Sequence, residues 1–107
     1  MTVRVLEFTV DKQRLTRTKG CDFSGIVARS VGYLKAKFHF SKEWDNCSKV
    51  AGFCSNGEEY PVVLEDDACM IPAEALLMDN FQVYVLGGKE DGYRIETTRI
   101  KVKQEVT

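Results

Sequence analysis

A chain of 107 residues, 44% hydrophobic and 29% charged, is long enough to bury one core without disulfide staples and too apolar to stay disordered. Its 15 basic and 16 acidic residues leave a formal net charge of −1, so no overall electrostatic footprint for nucleic acid or an anionic membrane is expected. No apolar run approaches the ~20 residues of a membrane-spanning helix. The opening Met1-Thr2-Val3-Arg4-Val5 lacks the apolar core of a secretory signal, so synthesis in a cytoplasm without signal-peptide export is expected.

Thr2 to Val10 reads as a strand whose parity shifts on the way. Val3 and Val5 share one face, while Leu6, Phe8 and Val10 share the other, which predicts a bulge or a strand with both faces partly covered. Asp11 to Lys19 is basic around the single apolar Leu15 and reads as a hairpin return or an exposed edge strand. Gly20, Ser24 and Gly25 mark a loop. Tyr33 to Phe40 alternates most cleanly: Leu34, Ala36, Phe38 and Phe40 on one face, Tyr33, Lys35, Lys37 and His39 on the other, a half-buried strand.

Lys49 to Cys54 and Tyr60 to Leu64 flank the Asn56-Gly57 turn dipeptide and pair as a hairpin, with Pro61 at a strand start or on an edge. Pro72 to Met78 supplies proline, alanine, glutamate and leucine for one or two helical turns. Phe81 to Leu86 is a buried strand ended by Gly87-Gly88. Tyr93 to Val106 gives two further β pieces whose parity switches around Thr97-Thr98-Arg99, implying a bend, a bulge or a crossing between sheets. Strands this short and this regularly spaced predict an all-β, antiparallel β-sandwich, immunoglobulin-like or jelly-roll-like, with one short helical turn near 72–78. No linker or repeat interrupts it, so residues 1–107 are expected to be a single domain.

Chemistry-bearing residues are sparse. The one histidine, His39, falls on the solvated face of its strand between Phe38 and Phe40 and reads as a surface residue, not a base. The acidic pairs and triplet Glu58-Glu59, Glu65-Asp66-Asp67 and Glu90-Asp91 fall in turns and do not follow a calcium-loop pattern. Gly87-Gly88 is too short for a phosphate-binding loop. Cys21, Cys47, Cys54 and Cys69 form no CxxC pair, so four free thiols are expected, without zinc. Asn46-Cys47-Ser48 matches a glycosylation sequon, which has no meaning without export. No catalytic, cofactor-binding or metal residue is assigned, and no cofactor is expected. Trp44 with Tyr33, Tyr60, Tyr84 and Tyr93 is the one candidate site, a sugar-stacking platform. The competing reading makes Trp44 an apolar plug at one end of the core, near Phe40 and Phe53.

One pattern runs through most of the chain. A strand ends in a tryptophan (Phe38 to Trp44) and is followed by Lys49-Val50-Ala51-Gly52-Phe53 and the aromatic-led Tyr60-Pro61-Val62-Val63-Leu64. Then come Ile71-Pro72-Ala73-Glu74-Ala75-Leu76, Val83-Tyr84-Val85-Leu86-Gly87 and the Thr97-Thr98 step into the last strand. Over residues 33–107 this order resembles the small β-sandwich module of baseplate and tail-fibre proteins of tailed phages infecting Gram-positive bacteria. The resemblance implies a non-enzymatic virion structural protein that docks within the tail or baseplate through protein–protein contacts. Its partners would be other tail proteins, with neither nucleic acid nor membrane among them. A carbohydrate-binding module gripping host-wall sugars through Trp44 is the alternative. A homo-oligomer, or a monomer that oligomerises only on docking, is expected, with the terminal strands Thr2–Val10 and Ile100–Val106 as the least protected backbone and part of the interface.

Overall fold

The computed structural model describes residues 2–107. One sheet holds β1 (Arg4–Asp11), β2 (Arg14–Arg17), β3 (Leu34–Phe40) and β6 (Ala68–Met70) in the order β2-β1-β3-β6. The other holds β4 (Ser48–Ser55), β5 (Glu58–Val63), β7 (Asn80–Gly88), β8 (Arg94–Glu96) and β9 (Ile100–Lys103). There β5 and β7 flank β4, and β8 and β9 both pair with β7. The two inner faces close on a core that includes Leu6, Phe8, Val10, Leu15, Phe38, Phe53, Phe81 and Val102. The fold is the expected all-β sandwich.

One pairing departs from the antiparallel expectation. β1 and β3 are parallel, in register from Arg4↔Leu34 to Val10↔Phe40. β2 is the return limb of a hairpin and sits on one edge of β1. The chain then passes through 18–33 to the start of β1 and sends β3 up the other side. A parallel neighbour needs a long crossover of this kind. The unbroken ladder also rules out a bulge in β1. The parity shift instead has the second expected cause, a partly covered outer face: Val3, Glu7 and Thr9 are half-buried there, while Val5 is 41% exposed.

The switch at Thr97–Arg99 is a bulge. Leu86 pairs with Glu96 and Val83 with Ile100, so three residues on one strand oppose two on the other. Thr97 holds the gap: its amide donates to the Val85 carbonyl at 3.0 Å, and its Oγ1 accepts from the Val85 amide at 2.9 Å. The expected helical turn is a 3₁₀ turn over Ala73–Leu76, with Ala75 and Leu76 buried. A second 3₁₀ turn, Lys42–Trp44, carries Trp44 into the core.

The edges are closed by different means. β5 is an edge strand, as Pro61 requires. The Leu64 amide donates to the Lys49 carbonyl at 2.9 Å, so by alternation the amides of Val62 and Tyr60 point to β4 while position 61 points outward. Proline therefore removes an outward donor from the middle of the free edge, and Glu58 and Glu59 add charge to it. β6 is only three residues long. On the opposite side, β2 is laced to the β8–β9 segment. The Thr98 amide donates to the Gln13 carbonyl at 2.8 Å, and the Leu15 amide donates to Thr98 Oγ1 at 3.2 Å.

The expectation that both terminal strands are the exposed ones is therefore half overturned. β1 lies inside its sheet, paired on both sides by β2 and β3. β9 lies at an edge, but Val102 is fully buried and Ile100 packs against the core.

Candidate functional site

Trp44 is wholly buried and plugs the end of the sandwich where β1, β3 and β7 finish. Its ring centroid lies 5.1 Å from that of Phe40, and Nε1 donates to the Lys12 carbonyl at 2.7 Å. Phe53 belongs to the same core but pairs its ring with Phe81. Gly87 makes room for the indole, since a Cβ there would come within 2.7 Å of Cζ3. This packing explains the Gly87-Gly88 pair: the first glycine seats a ring and cradles no phosphate. A stacking platform for sugars would need Trp44 at the surface, and the tyrosines are dispersed. Tyr33 lies at one end of the sandwich, and Tyr93 at the other, where its hydroxyl donates to the Glu43 carbonyl at 2.8 Å.

His39 is half-exposed on the outer face of β3, with Nε2 2.7 Å from Glu7 Oε1. Among the described residues that carboxylate is its one side-chain hydrogen-bond partner. Among the described residues, no three His, Cys, Asp or Glu side chains converge as metal ligands. The four cysteines are free. Burial pushes the Cys69 thiol up to about 12. Native protein treated with an alkylating reagent at about pH 8 should therefore keep Cys69 unmodified, because the thiolate is the reactive form. In denaturant all four thiols should react. Labelling of native Cys69 as fast as a free peptide thiol would overturn this.

Two polar constellations that were not legible as sites in the sequence are present. On the outer face of the β4–β5–β7 sheet, Tyr84 lies flat over Gly52. Its hydroxyl donates to Glu59 Oε1, and the Arg99 guanidinium covers the other side of the ring at 4.1 Å. The hydrogen bond to the Glu59 carboxylate, followed by burial, raises the phenol's pKa. This cluster staples β5, β7 and the bulge together.

The second lies at a shallow cleft of about 410 Å³ lined by Cys47, Ser48, Lys49, Leu64, Asp66 and Asp67, with Val63 beside them. Lys49 Nζ, on a side chain only 15% exposed, pairs with Asp67 at 2.9 Å and stands 4.7 Å over the Phe40 ring. Asp66 and Asp67 both hold positive φ, 52° and 60°, the left-handed backbone of a tight hairpin turn. The Lys49 cation is thus already paired with a carboxylate.

What the fold does gather is apolar surface at one end. Segments 24–33, 71–79 and 104–107 meet where β1 and β3 begin. The Arg29 amide donates to the Leu76 carbonyl at 2.7 Å and the Ala28 amide to the Glu105 carbonyl at 2.9 Å. Gln104 Nε2 donates to the Met78 carbonyl at 2.9 Å. On these segments Val27, Val31, Tyr33, Leu77, Met78 and Val106 are all exposed, Val31 by 78%. Soluble domains scatter such residues singly, whereas here six fall on three adjoining segments. Loop apolar residues carry no periodicity, so nothing local signals that they meet.

The fold and this surface define a class: a small β-sandwich with closed edges and one apolar end. No protein-family model, curated protein or solved structure matches the chain.

Proposed function

We propose that this chain is a non-enzymatic docking module of a phage tail or baseplate, made in the host cytoplasm and held in the virion by protein–protein contacts. The observation that carries the docking part is the apolar end, where Val27, Val31, Tyr33, Leu77, Met78 and Val106 stand exposed together. The protected edges agree with it, because Pro61 on β5 and the laced β2 leave side-chain contact as the means of association. The phage assignment rests on the order of motifs in residues 33–107.

The test is co-expression with the tail and baseplate proteins encoded beside it. The wild-type chain should co-purify with one of them. The double variant Val31→Asp/Leu77→Asp should lose that partner while melting like wild type, since both residues are exposed. Retention of the partner by the well-folded variant would remove the apolar end as the docking surface. Non-tail genes on both sides, with no tail protein bound, would remove the phage reading.

A further inference from the structure

The chain's two prolines stand opposite each other in a ladder that does not form. The turn after β5 closes on the Glu65↔Ala68 bridge, with amide-to-carbonyl bonds in both directions at 3.0 and 3.1 Å. Its place is fixed from both sheets. Lys37 Nζ, on β3, donates to the Asp66 carbonyl at 3.0 Å, and Lys49, on β4, pairs with Asp67. In an antiparallel ladder the bonded pairs recur at every second residue of each strand. After Glu65↔Ala68 the next would join Val63 to Met70, and the one after that Pro61 to Pro72. Neither forms: β5 and β6 belong to different sheets and meet at that one bridge. Val63 and Met70 are both left exposed.

We infer that Pro61 and Pro72 act together as a stop that keeps β5 from zipping onto β6. The seam left open is the passage by which residues 73–76 enter the sandwich and set Leu77 and Met78 at its apolar end. Two opposed prolines supply neither amide of a bonded pair, so the ladder could gain only Val63 with Met70 before it halts. A proline on one rim alone would still leave half of the 61–72 pair, which is why both are needed. Without them the flanking residues favour zipping, since Tyr60, Val62, Val63, Met70 and Ile71 all suit strands. The chain instead leaves β6 after Ile71, whose amide still donates to the Leu34 carbonyl at 2.9 Å. Pro72 then turns it inward with φ −60° and ψ 136°. The 3₁₀ turn that follows packs against β4, β5 and β7 with Ala75 and Leu76 buried, and Leu77 and Met78 emerge exposed beyond it. The value of that placement rests on the docking reading above; the stop itself does not.

The test is amide hydrogen exchange on the whole chain, comparing Pro61→Val, Pro72→Val and the double variant with wild type. In the double variant the Val63 and Met70 amides should gain protection by about tenfold or more as the seam closes. The Arg29 amide, which donates to the Leu76 carbonyl at 2.7 Å, should lose protection by a similar factor as the 71–79 segment is drawn away. Each single variant keeps one proline in the pair and should exchange like wild type at all three amides. Adding Val63→Pro to the double variant restores a proline on the β5 rim, at an exposed position, and should return Met70 and Arg29 to wild-type exchange. If the double variant loses protection throughout the β4–β7 ladder, repair by Val63→Pro supports the stop and failure to repair overturns it. Unchanged Val63 and Met70 in a folded double variant would overturn it, as would closure by either single change or Arg29 protection that survives closure. No partner enters these measurements, so the stop can fail while the co-expression test upholds docking, and the reverse.

Discussion

Trp44→Ala is expected to lower the free energy of unfolding by about 3–5 kcal/mol, the range for truncating a buried aromatic. The indole is wholly buried, packs at a tilt against Phe40 and fills the space that Gly87 leaves open. Its removal opens a cavity at the end of the core. It also strips the Lys12 carbonyl of its donor, and Lys12 sits in a left-handed turn conformation at φ 58°. The turn keeps other tethers, among them the Lys12 amide to Ser41 Oγ at 2.8 Å and the Thr98 amide to the Gln13 carbonyl at 2.8 Å. Trp44→Phe separates the two contributions. It restores much of the apolar contact but leaves the carbonyl unpaired, a loss of about 1–3 kcal/mol. Urea unfolding of both variants gives the comparison. An alanine variant melting within about two degrees of wild type, where about 3 kcal/mol should shift a domain of this size by more than 10 °C, would mean that the indole is not packed in the core.

Burial along each strand was legible because it is a local property. The alternation of Leu34, Ala36, Phe38 and Phe40 and the Asn56-Gly57 turn each fix which face is wet or where the chain reverses, and the structure agrees at both. Pro61 also marked its edge correctly, because a missing donor can only be spared there. Direction and neighbourhood were not legible. Leu6, Phe8 and Val10 would alternate identically in an edge strand or a central one, and against a parallel or an antiparallel partner. Nothing local in β1 therefore announces that β2 and β3 flank it. The candidate surfaces failed for the same reason. Val31 and Leu77 are solitary apolar residues in separate loops, and Glu59 and Tyr84 are 25 positions apart. Gly52 did carry a signal, since a glycine inside a strand often marks a close approach. Its partner Tyr84 becomes evident only from the β4–β7 register, Gly52↔Tyr84.

That pair supports the second large expected effect. A Cβ at position 52 would lie 2.1 Å from Tyr84 Cζ and 2.5 Å from its hydroxyl oxygen, so Gly52→Ala forces the ring off the sheet. The ring is not free to swing, being held by Glu59 on its hydroxyl and by Arg99 over its face. The expected loss is about 1–3 kcal/mol, the usual range for overpacking. With Tyr84→Ala already in place, the sign should reverse. The obstruction is then gone, and alanine in a strand interior outperforms glycine by about 0.5–1 kcal/mol. A double-mutant cycle therefore separates collision with the ring from any intrinsic intolerance at position 52; additive losses would rule the collision out. The phenol provides a second readout. Its pKa is raised because Glu59 accepts its proton in a hydrogen bond, so the folded state favours the neutral phenol. That contribution is complete below the ordinary tyrosine range and is lost as the pH climbs through the raised value. In a spectrophotometric titration Tyr84 should ionise later than free tyrosine, and Glu59→Gln, which removes the carboxylate charge, should bring it back down. An unchanged titration in that variant would show that the carboxylate does not hold the ring.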